Sequence, residues 1–111
     1  MEKELEIAWA AGLFEGEGSI VNDAKQKNPL SLRMTDKDVM ERFIDVVGYG
    51  NLTGPYMYEK ASHPNKTPYW SWQLYKRTEI LRILKLFLPY LGKRRSKRAN
   101  DVINHLNEII N

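Results

Sequence analysis

Two glutamates, Glu15 and Glu17, alternate with Gly16 and Gly18 after the run Ala8-Trp9-Ala10-Ala11-Gly12-Leu13-Phe14. The run reads as a helix, so both carboxylates fall at its C-terminus, where the dipole already presents partial negative charge. Acids there oppose stability, and the flanking glycines leave the backbone open to close approach. A divalent cation resolves the conflict, because a carboxylate with a free backbone carbonyl is a hard oxygen donor set that suits Mg²⁺. Local rules broken in this way are most often found at functional sites. A second misplaced set of charges lies far along the chain. Lys93-Arg94-Arg95-Ser96-Lys97-Arg98 holds five basic residues in six at a helix start, where cations run against the dipole. Phosphate binding accounts for it better than a solvated helix face does.

A third group comes from alternation. Around Leu30, Leu32 and Met34, and again around Trp70, Trp72 and Leu74, apolar residues recur every second position, the period of half-buried strands. The apolar faces must cover helices, so the polar faces are the ones free to meet a polyanion. That nominates Lys25, Lys27, Ser31, Arg33, Ser71, Gln73 and Tyr75, with Lys60 and Lys66 from a loop and Arg95 and Lys97 from the basic run. Arg and Gln suit bidentate contacts to base edges, whereas Lys suits phosphate. Trp70 and Trp72 share a face with Leu74 and are read as core. His63 and His105 receive neither a metal nor a proton-transfer role.

The elements that must position these groups follow from the same patterns. Glu4 to Phe14 predicts a helix ended by Gly16 and Gly18, and its small residues Ala8, Ala11 and Gly12 permit a second helix to approach closely. Ser19-Ile20-Val21 predicts a short strand, with a turn over 25–28 leading into the Leu30–Met34 strand. Thr35 and Asp38 suit a capping box for a helix to Val47 with Val39, Phe43 and Val46 inward, stopped by Gly48. Leu52 to Tyr58 and Tyr69 to Tyr75 predict two further strands. Thr78 to Leu88 predicts a helix with Leu81, Leu84 and Leu88 on one stripe. A last helix after the basic run turns Ala99, Val102, Ile103, Leu106 and Ile110 inward. The order α-β-β-α-β-β-α-α implies an α+β fold, an antiparallel sheet with helices on one face.

Length and composition are consistent with one domain over residues 1–111, with room for a single modest core. There is no cysteine, which excludes disulfides, thiol nucleophiles and Cys-based metal centres. No apolar run approaches bilayer-spanning length and the start lacks an apolar signal region, so an intracellular protein with no membrane partner is expected. The net charge of +3 hides a split: residues 1–59 carry 6 basic and 11 acidic side chains, residues 60–111 carry 11 basic and 3 acidic. An acidic centre beside a polyanion-binding surface is implied.

Ala10-Ala11-Gly12-Leu13-Phe14-Glu15-Gly16-Glu17-Gly18, followed by Ser19-Ile20, resembles the motif that names the LAGLIDADG homing endonucleases. Leu32-Arg33-Met34-Thr35-Asp36-Lys37-Asp38 is similar to that family's second strand entering its second helix, and Pro89-Tyr90-Leu91-Gly92-Lys93-Arg94-Arg95 to its basic segment near the C-terminus. The resemblance spans most of the chain. It implies a saddle-shaped antiparallel sheet on double-stranded DNA and, with one motif copy, a homodimer packed through Ala8, Ala11, Gly12 and Glu15. It implies that Glu17, assisted by the Gly16 carbonyl, binds Mg²⁺ or Mn²⁺, and that each of two symmetric sites hydrolyses one strand of a pseudo-palindromic site. Asp36 falls where the family places a polar residue around the water network, and Lys93 or Arg94 near its active-site lysine. No small-molecule cofactor is implied. The expected setting is an intron-encoded or intein-like mobile element, in the cytoplasm, near the nucleoid or in an organelle. Glu replaces Asp at both acid positions, and the short first hairpin covers only about six base pairs per strand.

Two other classes compete. One is a cleavage-inactive DNA- or RNA-binding module of the same fold, acting as a splicing cofactor or regulator. The other is an α+β interaction domain whose basic half docks an acidic protein. Affinity for nucleic acid that falls steeply with salt separates the second from the rest.

Overall fold

The periodicities resolve into four strands and four α-helices in a computed structural model that describes residues 2–21, 29–57, 59, 62 and 64–110. The expected turn over 25–28 and the nominated Lys25, Lys27 and Lys60 lie outside the described residues. The order is α1 (Lys3–Glu17), β1 (Gly18–Ile20), β2 (Leu30–Met34), α2 (Lys37–Val47), β3 (Asn51–Tyr56), β4 (Tyr69–Leu74), α3 (Arg77–Phe87), a 3₁₀ turn (Leu88–Tyr90) and α4 (Lys93–Ile110). This is the expected α+β succession with one short turn added.

The strands form one antiparallel sheet in the order β1-β2-β4-β3. Leu30 and Leu32 of β2 and Trp72 and Leu74 of β4 turn to one face and are buried there. On that face they meet Ile7, Ala10, Ala11 and Phe14 of α1, and Met40, Phe43 and Val47 of α2. Ile80, Ile83, Leu84 and Phe87 of α3, with Ala99, Val102, Ile103 and Leu106 of α4, complete the core. Phe43 is its hinge: the ring stands edge-on to Trp72 at 5.0 Å and packs on Phe87 at 6.2 Å, which in turn meets Phe14 at 5.6 Å. Each of these fully buried aromatics contributes about 1.5–3 kcal/mol by leaving water.

Several local expectations change. α1 runs through Gly16 to Glu17 instead of ending at Phe14. No capping box forms: Asp36 is the N-cap of α2 and makes no side-chain cap bond. The inward stripe of α2 is Met40, Phe43 and Val47, with Val39 and Val46 half-buried, and that of α3 is Ile80, Ile83, Leu84 and Phe87, with Leu81 and Leu88 at its margin. In both helices a one-residue rotation puts the bulkiest residues at the centre of the stripe. The basic run is itself the first two turns of α4. Gly48 closes α2 in the left-handed region at φ 78°, as expected of a helix stop.

Candidate nucleic-acid interface and helix-end site

Helix α1 has two faces. Ile7, Ala10, Ala11 and Phe14, spaced by three and four, face the core. Leu5, Ala8, Trp9, Gly12 and Gly16 form the opposite stripe. There Leu5 is 58% exposed, Gly12 and Gly16 are exposed, and Ala8 and Trp9 are half-buried. A Cβ added at Gly12 or Gly16 would meet nothing within 4 Å, so the protomer itself gives no steric reason for glycine at either position. Two expectations about this helix are corrected. Ala11 is fully enclosed in its own core, because it lies on the Phe14 side of the helix, and so does not offer a surface to a partner. Glu15 is held within the protomer: its carboxylate accepts from the Gly92 backbone N–H and pairs with Arg95 Nε at 2.7 Å.

At the end of α1 the chain enters the sheet directly. Gly18 is buried, its N–H donates to the Phe14 carbonyl, and the Phe14 ring fills the space a side chain would need. Two cavities open near this junction. Glu17 lines one of about 350 Å³ together with Arg33, Met34, Thr35, Asp36 and Tyr69. Gly18, Ser19 and Ile20 line the other, also about 350 Å³, with Arg94, Arg95 and Arg98. Glu17 and Asp36, 19 positions apart in sequence, thus share a cavity. Lys93 is exposed at the start of α4 and lines neither cavity, so Arg94 is the member of that pair placed beside the junction.

For a divalent cation the relevant donors are the exposed Glu17 carboxylate and the last-turn carbonyls of α1. Two of those carbonyls are taken, Phe14 by Gly18 N–H and Glu15 by Arg95 Nε at 2.8 Å. Those of Gly16 and Glu17 stand at the helix end, beyond the reach of the helical ladder. Among the described residues no group of three or more His, Asp or Glu side chains comes together. Such a set matches Mg²⁺, which takes one or two carboxylates and completes its shell from water and phosphate oxygens.

The open face of the sheet is polar in register. Ser19 stands opposite Ser31, Ser31 opposite Gln73 and Gln73 opposite Asn51, while Arg33 pairs with Ser71 and Ser71 with Thr53. Arg33 lies over the Tyr69 ring at 5.4 Å, and Tyr56 packs on Tyr69 at 5.5 Å. Arg33, Gln73 and Tyr75 are exposed, and Tyr75 O–H donates to Gln73 Oε1 at 2.6 Å. Ser71, nominated as a contact, is only 4% exposed: it sits in the central strand under the longer side chains around it, and its carbonyl accepts from Thr53 Oγ1 at 3.3 Å. Ser31 is half-buried, and Lys66 and Lys97 are exposed.

Asn51, Thr53, Tyr56 and Tyr69 complete this face and were not nominated from the sequence. The β3 strand carries Gly54-Pro55 and a register shift between Thr53 and Tyr56, which hides its alternation. Arg98, indistinct within its charge run, also lines the second cavity. A larger cavity of about 620 Å³ lies at the other end of α1, between Lys3, Val47, Arg82 and Tyr90, and holds none of the nominated residues.

This architecture is the homing-endonuclease fold. The structure of the homing endonuclease I-CvuI bound to the I-CreI target in the presence of magnesium, with the DNA not cleaved, superposes with a TM-score of 0.72 over 98% of this chain and 70% of that one, at 17% identity. I-CvuI bound to its own target in the presence of calcium gives a TM-score of 0.71 with the same coverage and identity. No family model and no curated protein sequence matches the chain.

Proposed function

We propose that the chain is one half of a homodimeric, divalent-metal-dependent endonuclease of the LAGLIDADG type, which cuts a pseudo-palindromic duplex DNA site. The observation that carries this reading is α1 itself. Its outward face carries Ala8, Gly12 and Gly16 beside Leu5, and that helix ends in Glu17 beside the polar face of the sheet. Two copies packed through Leu5, Ala8, Gly12 and Gly16 bring two Glu17 carboxylates to one axis, with a sheet on either side. The neighbours of this fold are complexes with target DNA, which supports duplex DNA as the ligand.

Glu17, with the Gly16 carbonyl, would hold Mg²⁺ or Mn²⁺, which bound there would supply activation of water and stabilisation of the leaving 3′ oxygen. Asp36, whose carboxylate is not used to cap α2, accepts a hydrogen bond from water in the cavity it shares with Glu17. Arg94 and Arg98 place positive charge beside the strand being cut. Arg33 and Gln73 project from the open face and read base edges. β2 and β4, five and six residues long, cover about 17–20 Å, or about five to six base pairs per protomer.

The decisive experiment is cleavage selection from a randomised duplex library with Mg²⁺, repeated with Glu17→Gln. The wild type is expected to cut a paired-half-site sequence. Glu17→Gln is expected to bind that sequence within a few-fold of wild type and leave it whole. Sequences that are bound and never cut establish the binding-only module instead, and a Glu17→Gln protein that still cuts refutes the role given to Glu17.

A further inference from the structure

We propose that Glu15 and Arg95 form a positioning clamp that fixes the basic first turn of α4 against the metal-binding end of α1. The functional half of this inference rests on the endonuclease reading above. The contacts are reciprocal. The Glu15 carboxylate accepts from the backbone N–H of Gly92, the residue immediately before α4, and the Gly92 carbonyl accepts the first helical bond from Ser96 N–H at 2.8 Å. Glu15 therefore caps α4 from another helix. In return, Arg95 Nε donates to the Glu15 carbonyl at 2.8 Å while lying 2.7 Å from its carboxylate, so Arg95 caps the last turn of α1.

Three features mark the pair as specified. Gly92 leaves the Glu15 carboxylate room to approach, since a Cβ there would lie 2.7 Å from Glu15 Oε1 and would displace it. Both side chains are largely withdrawn from solvent, 19% exposed for Arg95 and 32% for Glu15. The Arg95 guanidinium also lies 6.0 Å from the Phe14 ring, tying the pair to the core. Glu17 is two residues from one end of the clamp, and Arg94 is adjacent to the other. Arg95, expected from the sequence to contact DNA, is instead turned onto Glu15 and 19% exposed, so neither residue needs to touch the reacting phosphate; each sets where Glu17 and Arg94 stand relative to one another.

The test compares Glu15→Gln, Arg95→Lys and Arg95→Ala with wild type and with Arg82→Gln, a charge change at the far end of the molecule. Glu15→Gln keeps an acceptor for Gly92 and loses the ion pair; Arg95→Lys keeps the charge and loses the two-oxygen geometry. Single-turnover cleavage at saturating duplex is expected to slow at least tenfold in Arg95→Ala and Glu15→Gln, with partial rescue in Arg95→Lys and an unchanged Arg82→Gln. Half-saturating DNA concentrations should stay within about threefold. A parallel loss of rate and affinity, or rates equal to wild type, overturns the proposal. Amide exchange at Gly92 and over Lys93–Ser96, read on the same proteins without DNA, should rise at least tenfold in Arg95→Ala. Unchanged exchange overturns the clamp even where the wild type cuts. A wild type that cuts no duplex removes the endonuclease reading, and the exchange data alone then decide whether the clamp exists.

Discussion

Gly12 is a glycine in the middle of a helix with empty space over it, and that makes Gly12→Ala informative. In the protomer an added Cβ meets nothing within 4 Å, and Gly12 lies in α-helix. Alanine should therefore stabilise the isolated chain by about 0.8–1 kcal/mol through helix propensity alone. With an unfolding entropy of about 2.1 cal/mol/K per residue, a chain of this length gains about 4 °C in Tm for each kcal/mol. Packed against a second α1, the same methyl intrudes twice, once from each copy, at about 1–3 kcal/mol apiece. That exceeds the helix gain and weakens the dimer by at least about tenfold.

The sign of the effect thus depends on concentration. Thermal melts of wild type and Gly12→Ala, taken from nanomolar to tens of micromolar alongside sedimentation, should cross. The variant melts higher where both are monomers and lower where the wild type is a dimer, because association stabilises the folded state by mass action. A variant that melts about 4 °C higher at every concentration, and sediments like wild type, refutes the idea that Gly12 is kept small for a partner.

The remaining predictions concern the same helix end and the sheet. Gly18→Ala drives a methyl into the buried Phe14 ring and should cost about 1–3 kcal/mol, read as a lower urea midpoint with unchanged m-value. Gly50→Ala should cost at least as much, because Gly50 has φ 85° and a Cβ there would run into the Trp72 indole, whose Nε1 donates to the Tyr49 carbonyl at 2.8 Å. Unaltered near-ultraviolet circular dichroism of Trp72 would contradict it. Arg33→Ala should relax base preference at one position of each half-site, by about 1–3 kcal/mol against the favoured base. A uniform loss across all sequences would instead make Arg33 a phosphate contact.

The order of elements was legible because each strand or helix carries its own period: Leu30, Leu32 and Met34 alternate, and Val102, Ile103 and Leu106 repeat at helical spacing. The stripes of α2 and α3 lie one residue from where spacing alone puts them, because several neighbouring aliphatics compete for the inward position and only packing against Phe43 and Phe87 decides among them. The open sheet face was half legible. Arg33 and Gln73 stand in clean alternation, whereas Asn51, Thr53 and Tyr56 lie in a strand broken by Gly54-Pro55. What no spacing rule could supply was the meeting of Glu17 with Asp36, or of Glu15 with Arg95 across 80 positions of chain.

That last meeting revises how the misplaced charges should be understood. Taken singly, Glu15 is an acid at the wrong end of α1 and Arg95 a base at the wrong end of α4. Because the C-terminus of α1 abuts the N-terminus of α4, each is correctly placed for the other helix: the carboxylate faces the positive end of α4 and the guanidinium the negative end of α1. Their apparent conflict with stability is resolved inside the fold and gives no evidence for a ligand. Glu17 and Arg94 are left over. Neither the Lys37–Glu41 nor the Glu15–Arg95 ion pair includes them, and they flank a junction lined by two cavities. Of the misplaced charges these two therefore stay available to a ligand at the cavities they line. On that criterion the metal-binding role proposed above falls to Glu17, whereas Glu15 is taken up by the contact between α1 and α4.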